Sequence, residues 1–200
     1  MPLSRTSGPA ARGLVLIALA ALGLGTASAA GATPMAAPVR PAAPAAAVVE
    51  PGVHTIRALH SGKCLAPQGD STADDVLIVQ QTCDGRPSQR VTVQRIHDQD
   101  QKPHLRFVTD AGKCWNVERN KWNPWARITQ YRCQNRPNEV FDLLTYHPWS
   151  GSQITPTFNP NVLCLHTYDA TTADGAHIIQ LACNPPGSGD RNDTFTFVPA

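Results

Sequence analysis

Six cysteines divide the chain into three equivalent segments. They form three pairs with the spacing Cys-x18-Cys, and each pair follows the previous one by 50 residues. The pairs are Cys64 and Cys83, Cys114 and Cys133, and Cys164 and Cys183. Each pair ends in the phrase Ile-x-Gln-x-x-Cys, so the residues beside the sulfurs repeat as well. This internal repeat predicts three copies of one structural unit.

The repeated phrase places a glutamine two residues after an isoleucine. The glutamines are Gln80, Gln130 and Gln180, and the isoleucines are Ile78, Ile128 and Ile178. Because side chains two residues apart in a strand point to the same face, we expect each glutamine to be buried beside its isoleucine. Buried amides need hydrogen-bond partners. We therefore predict that these glutamines bind backbone groups inside the fold.

The first 29 residues have the layout of an export signal. Arg5 and Arg12 precede an apolar run from Leu14 to Leu24, and Ala27-Ser28-Ala29 follows it. A membrane-spanning helix needs roughly 20 apolar residues, and this run is shorter. We predict a signal peptide at residues 1–29, a secreted protein and no membrane insertion.

The remaining chain divides by composition into a linker and one domain. Residues 30–51 are nearly all Ala, Pro, Gly, Val and Thr, which predicts a disordered linker. Residues 52–200 have the size of one domain with a single core. Removal of Arg5 and Arg12 leaves equal numbers of basic and acidic side chains. A neutral mature protein is not expected to attract nucleic acid.

An exported chain with an even number of cysteines favours disulfide bonds. The repeat symmetry favours one pairing, with a bond inside each repeat: Cys64 to Cys83, Cys114 to Cys133, and Cys164 to Cys183. Metal ligation is the alternative, but the chain contains no Cys-x2-Cys motif. We expect no metal and no cofactor.

Short strand-like segments alternate with turn residues along the domain. The segments are 54–59, 76–81, 91–96, 105–109, 126–131, 141–146, 154–158, 176–181 and 194–198. Three units of three or four strands are each too small to bury a face alone, so they must share one core around a threefold axis. The sequence predicts an all-β fold, a β-trefoil with repeats at about 52–102, 103–150 and 151–200.

The second repeat contains three phrases in a fixed order. It reads Gly112-Lys113-Cys114-Trp115-Asn116, then Ile128-Thr129-Gln130-Tyr131-Arg132-Cys133, then Asn138-Glu139-Val140-Phe141. All three repeats resemble the ricin B-type lectin repeat, a carbohydrate-binding β-trefoil whose pattern runs Gly-x-Cys-Leu-Asp, hydrophobic-x-Gln-aromatic-x-Cys and Asn-Gln-x-Trp. The Gln-x-Trp signature is degenerate in every repeat. Val91, Phe141 and Phe195 replace its tryptophan, and we expect them to remain in the core.

The resemblance implies one workable sugar site, in repeat two. Family sites need an acceptor two residues after the first cysteine, an aromatic ring two residues before the second, and an Asn-Gln pair. Repeat two supplies Asn116 as the acceptor, Tyr131 as the ring, and Asn138 with Glu139 as the pair. A sugar has C–H faces and hydroxyl edges, so it needs both flat apolar area and fixed polar partners.

Repeats one and three depart from this set. Repeat one has Ala66 and Gln81 at the acceptor and ring positions, so it lacks both elements. Repeat three has His166 and Leu181, although Tyr168 could replace the missing ring from a neighbouring turn.

Four tryptophans occur between residues 115 and 149. Trp115 takes the family's buried leucine position, which implies a place in the core. Trp122 and Trp125 flank Asn123-Pro124 in a predicted turn, where we expect exposure, and we add Trp125 to the candidate sugar-binding residues of repeat two. Residues 103–150 also carry a net charge of +3. This charge favours an acidic glycan, unless it is spread over the solvated surface.

No arrangement of side chains in the sequence indicates catalysis. The seven histidines form no His-x3-His or His-Glu-x-x-His group, and no serine lies in a Gly-x-Ser-x-Gly motif. We predict a secreted, monomeric, lectin-like module that binds a glycan and is not an enzyme. The alternatives are a protein-binding trefoil, such as a toxin accessory subunit or a protease inhibitor, and a scaffold protein without a dedicated ligand.

Overall fold

The computed structural model describes residues 49–99, 101–144, 151–158, 160–185 and 188–200. The predicted signal peptide, most of the predicted linker and Trp149 lie outside these residues, so the predictions made for them stay predictions. No helix in the described ranges has the length and apolar character to cross a membrane.

Twelve β-strands form the described part of the chain, four from each repeat. They are β1 (Gly52–Ala58), β2 (Cys64–Pro67), β3 (Val76–Gln81), β4 (Arg90–His97), β5 (Pro103–Thr109), β6 (Lys113–Val117), β7 (Ile128–Arg132), β8 (Phe141–Leu144), β9 (Ser152–Pro156), β10 (Leu163–Thr167), β11 (Ile178–Ala182) and β12 (Thr194–Pro199). The sequence predicted nine of these strands and missed β2, β6 and β10. These three strands have only four or five residues each. Each contains the first cysteine of its repeat.

Six of the strands close into a barrel. Antiparallel pairs lead from β1 through β4, β5, β8 and β9 to β12, and β12 pairs again with β1. The other six strands form three hairpins, β2–β3, β6–β7 and β10–β11. The hairpins meet one another through the β3–β7 pairing and the bridges Val79–His177 and Arg127–Ile179. This arrangement confirms the predicted β-trefoil.

A disulfide ties the two strands of each hairpin together. The bonds join Cys64 to Cys83, Cys114 to Cys133, and Cys164 to Cys183, with Cα–Cα distances of 5.1, 5.0 and 4.9 Å. The predicted pairing is confirmed. In the chain-entropy view, a closed loop of this length stabilises a fold by roughly 3 kcal/mol.

One hydrophobic core fills the barrel and the space beneath the hairpins. Val91, Phe141 and Phe195 are fully buried in it, as predicted for the positions where the family has tryptophan. Trp115 is also fully buried, and its ring lies 5.2 Å from that of Phe107. Burial of each large apolar side chain stabilises the fold by roughly 1.5–3 kcal/mol, so the smaller replacements still support a core.

The buried glutamines join neighbouring repeats, and each side-chain amide donates two hydrogen bonds to carbonyls of the preceding repeat. Gln80 binds the carbonyls of Thr171 and Ala173, Gln130 those of Ser71 and Ala73, and Gln180 those of Lys121 and Asn123, at 2.7–3.0 Å. The prediction that these glutamines bind backbone inside the fold is confirmed. We call each such arrangement a glutamine clamp.

The substitution Gln80→Leu should destabilise the trefoil by about 1–3 kcal/mol. It removes both donors from the carbonyls of Thr171 and Ala173, and it removes the acceptor of the Ser61 hydroxyl. Urea unfolding with the disulfides intact measures the change. The matched control is Gln81→Leu, which loses one 3.4 Å bond to Asp70 and should change stability by less than about 0.5 kcal/mol. Equal stability of the two variants would contradict a joining role for the clamp.

Candidate functional site

A pocket of about 370 Å³ opens on repeat two. It brings together four of the five predicted sugar-binding residues: Asn116, Tyr131, Asn138 and Glu139. The remaining lining residues, which the sequence did not indicate, are Asp75, Arg119, Asn120, Gln134 and Arg136.

The strands and turns of the hairpin explain why these side chains converge. Asn116 lies on β6 and Tyr131 on the adjacent strand β7, which pair in antiparallel register. A 3-10 turn at Glu118–Asn120 follows β6, and its left-handed residues Arg119 and Asn120 take the chain along the pocket rim. A second 3-10 turn, Pro137–Glu139, begins with proline and places Asn138 against the end of β6.

Asn138 lines the pocket, and its amide is held by the backbone. Its Nδ2 donates to the carbonyl of Val117 at 2.9 Å, while its buried Oδ1 has no partner among the described residues. The equivalent Asn192 of repeat three also donates to a backbone carbonyl, but its Oδ1 accepts a bond from Asn184. An unpaired buried acceptor costs free energy, so the Asn138 oxygen differs from its paired counterpart in repeat three.

Asn116 is held by two weak hydrogen bonds. Its Nδ2 lies 3.4 Å from the carbonyl of Thr129, and its Oδ1 accepts from the Thr129 hydroxyl at 3.3 Å. Both distances exceed the usual range for strong hydrogen bonds. The amide can therefore exchange these bonds for shorter ones to a ligand at low cost.

Tyr131 provides a half-buried ring at the pocket wall. The guanidinium of Arg132 lies 5.2 Å from the ring centroid and also donates to the tyrosine hydroxyl. Asp74 holds Arg132 in turn, and it accepts a 2.5 Å bond from Lys113. This network fixes the ring in place before any ligand arrives.

Glu139 has a structural role that the family pattern did not imply. Its carboxylate accepts the backbone N–H groups of Gln134 and Asn135 at 2.9–3.1 Å. Gln89 binds the equivalent loop of repeat one in the same way, and Asp193 accepts the N–H of Asn184 in repeat three. Glu139 therefore shapes the pocket wall, and its oxygens are already occupied.

Trp125 lies apart from the pocket, so the structure does not bring it together with the other four candidates. It is exposed, as predicted, but its neighbour is Tyr168 of repeat three, with ring centroids 6.4 Å apart. Its backbone N–H donates to the carbonyl of Gln180, which holds this turn against repeat three. The residue that reaches the repeat-two pocket from the equivalent turn is Asp75 of repeat one.

The equivalent positions in the other repeats lack the same chemistry. Ala66 is fully buried and Gln81 is not aromatic. His166 is also buried, and burial lowers the pKa of its imidazole, which therefore stays neutral at pH 7. Across the described ranges, no group of three or more His, Cys, Asp or Glu residues is placed to hold a metal ion.

Comparisons with known proteins support the β-trefoil fold. A family model described as a ricin-type beta-trefoil lectin domain-like family matches residues 46–131. This part of the chain is therefore similar to ricin-type β-trefoil lectin-like domains. No curated protein sequence matches the chain significantly.

Three solved structures illustrate the shared fold of the lectin-like domain. The designed threefold-symmetric protein ThreeFoil is 23% identical with a TM-score of 0.66, over 74% of this chain and 99% of its own. A Macrolepiota procera ricin B-like lectin in complex with lactose is 12% identical with a TM-score of 0.58, over 77% and 99%. An exo-β-1,3-galactanase from Clostridium thermocellum is 18% identical with a TM-score of 0.66, over 77% and 31%.

An ion-pair cluster anchors the turn beside the repeat-two pocket. Glu118 is buried and binds both Arg127 and Lys121, at 2.7 and 2.9 Å. Burial alone would raise the pKa of Glu118, but these hydrogen bonds outweigh burial and lower the pKa from 4.5 to about 2. Asp74 of repeat one, which lies outside residues 103–150, offsets part of their basic excess through its ion pairs with Lys113 and Arg132.

The substitution Glu118→Gln should lower the free energy of unfolding by about 1–2 kcal/mol at pH 7, a figure reduced for solvent screening. The folded-state pKa lies below the ordinary value, so the stabilisation is complete above about pH 4.5 and is lost as the pH falls towards 2. Urea unfolding of both proteins between pH 7 and pH 2 should show the two stabilities converging. A constant difference across this range would mean that packing, and not the ion pairs, accounts for the loss.

Proposed function

We propose that the protein is a secreted carbohydrate-binding module whose sugar site is the repeat-two pocket. The observation that carries the proposal is that Tyr131, Asn116 and Asn138 line one open pocket. A pyranose ring presents a C–H face to an aromatic side chain and hydroxyls to fixed polar groups. These three residues supply both kinds of partner.

The charges at the pocket favour a neutral or weakly acidic glycan. Arg119, Arg136 and Asp75 line the pocket together, while the carboxylate of Glu139 accepts backbone N–H groups. The Macrolepiota procera neighbour was solved with lactose, which makes galactosides the first ligands to test. Acidic glycans form the second group.

We infer that the chain binds glycans without cleaving them. The galactanase neighbour shares only 31% of its own chain with this fold. Across the described residues, the pocket carboxylates Asp75 and Glu139 are not placed as a catalytic pair, since backbone N–H groups occupy the oxygens of Glu139. A single shallow site of this kind binds with about 4 kcal/mol, near the millimolar range.

Glycan-array and affinity-resin binding should depend on Tyr131 and Asn116. The variants Tyr131→Leu and Asn116→Ala install residues that repeats three and one carry at the same positions, so both should fold. Each should weaken glycan binding at least about tenfold, or about 1.4 kcal/mol. The matched control Gln81→Leu changes the ring position of repeat one and should bind like the wild type.

Two results would contradict the proposal. One is that no neutral or acidic glycan retains the wild-type protein, and the other is that both repeat-two variants bind as well as the wild type. A stoichiometric protein partner recovered from culture medium, and not released by free sugar, would favour the protein-binding alternative instead.

Export should remove the first 29 residues in the native host. The mature protein recovered from the medium should begin at Ala30, since the small residues of Ala27-Ser28-Ala29 suit signal-peptide cleavage. Intact-mass measurement and N-terminal sequencing locate the start. Recovery of the protein only inside cells, with Met1 still attached, would contradict secretion.

A further inference from the structure

Four neighbouring strands of the barrel carry basic side chains and no acidic ones. Strands β12, β1, β4 and β5 pair side by side. Together they contain four arginines and neither aspartate nor glutamate. Residues 30–200 as a whole have equal numbers of basic and acidic side chains. The charge of the chain is therefore segregated, and a net charge near zero hides a positive surface on this side of the barrel.

Three of these arginines point away from the core. Side chains alternate between the two faces of a strand, and the fully buried Ile56 and Phe107 mark the inner face of β1 and β5. The outer positions include Arg57 on β1, Arg90 on β4 and Arg106 on β5. Arg57 and Arg90 are exposed, and Arg106 is half-buried. We call Arg57, Arg90 and Arg106 the arginine wall.

The guanidinium groups of the arginine wall have no hydrogen-bond or ion-pair partner among the described side chains. By contrast, Arg86 and Arg127 each bind a carboxylate. Asp142 on the adjacent strand β8 is occupied by His104, at 2.7 Å. Asp110 follows β5 in the next turn, and it forms no ion pair with the wall. Like charges on one face repel each other, so the fold gains nothing from this group.

The strand register sets the arginines in a diagonal row. Arg90 lies opposite Thr55, so Arg57 is displaced from it by two residues on the neighbouring strand, about 8 Å away. Arg106 lies opposite Gln94, which is four residues along β4 from Arg90, about 14 Å away. The row therefore crosses three strands and extends for about 22 Å. A row of this length suits a linear polymer better than a single small anion.

The chemistry of the wall favours phosphate groups without bases. A guanidinium donates two parallel hydrogen bonds to the oxygens of a phosphate. Thr55, Thr92 and Gln94 occupy outer positions between the arginines and supply further hydrogen-bonding groups. The outer positions of the four strands carry no Phe, Tyr or Trp. Single-stranded nucleic acids are bound by stacking their bases on such rings, and the wall offers none.

We propose that the arginine wall binds a linear phosphate polymer that lacks bases, such as polyphosphate or poly(glycerol phosphate). The attraction is electrostatic, so the affinity falls as the salt concentration rises. The wall shares no residue with the repeat-two pocket, and the proposal does not depend on sugar binding. The two proposals therefore fail separately.

The test measures fluorescence anisotropy of labelled polyphosphate, poly(glycerol phosphate) and an oligothymidylate, between about 20 and about 200 mM NaCl. The variants Arg57→Gln, Arg90→Gln and Arg106→Gln each remove one charge from the wall. They lose no ion pair, so their thermal midpoints should equal that of the wild type. The matched control is Arg191→Gln, which removes one charge from an exposed residue outside these strands.

Each wall variant should weaken polyphosphate binding about fivefold at low salt, and it should reduce the slope of log affinity against log salt by about 0.7. Arg191→Gln should bind like the wild type. Two results would overturn the proposal: neither phosphate polymer binds the wild type at low salt, or Arg191→Gln loses as much affinity as the wall variants. Tighter binding of the oligothymidylate than of a phosphate polymer of equal charge would also overturn it, and would indicate a nucleic acid partner instead.

Discussion

Each buried glutamine ties its own hairpin to the turn of the preceding repeat, and the trefoil depends on these three clamps. Two amide hydrogen bonds and one backbone bond from the turn converge on each glutamine. Because these bonds lie in the partly buried junctions between repeats, loss of a donor leaves carbonyls unpaired. The clamp also holds the turn of one repeat against the hairpin of the next, as it does for the turn that contains Asp75. The repeat-two pocket is therefore lined by residues of two repeats, with Asp75 supplied by repeat one.

The three junctions between repeats share the same backbone hydrogen bond, but their side chains differ in charge. Asp174 binds Lys63 where repeat three meets repeat one, and Asp74 binds Lys113 and Arg132 where repeat one meets repeat two. Where repeat two meets repeat three, the equivalent residues are uncharged: Pro124, Leu163 and Ala182. The charged junction between repeats one and two therefore lies beside the repeat-two pocket. The uncharged junction between repeats two and three lies beside the exposed rings of Trp125 and Tyr168.

The sequence predicted the hairpins well because the Cys-x18-Cys spacing and the phrases beside it relate residues of one hairpin. The disulfide pairing, the inward glutamines, the buried Trp115 and the grouping of Asn116 with Tyr131 all follow from spacing or from the family pattern. Contacts between repeats were harder to predict. The position of Trp125 near Tyr131 in sequence predicts that it belongs to the repeat-two site. In the structure, its N–H donates to the carbonyl of Gln180, which holds the turn of Trp125 against repeat three. Asp75 is absent from the predicted pocket because it belongs to repeat one in sequence, yet it lines the pocket of repeat two. Asp75 and Trp125 occupy the same position in successive repeats.

Nuclear magnetic resonance mapping of bound lactose would locate the proposed sugar site. We place this site in repeat two, with Asp75 contributed by repeat one. Amide ¹H–¹⁵N shifts of the protein would be followed through a titration into the millimolar range. We expect the largest chemical-shift changes at Asn116 and Tyr131, a smaller change at Asp75, and no change at Ala66 or Gln81. Changes centred on Ala66 and Gln81, or no changes anywhere, would contradict it.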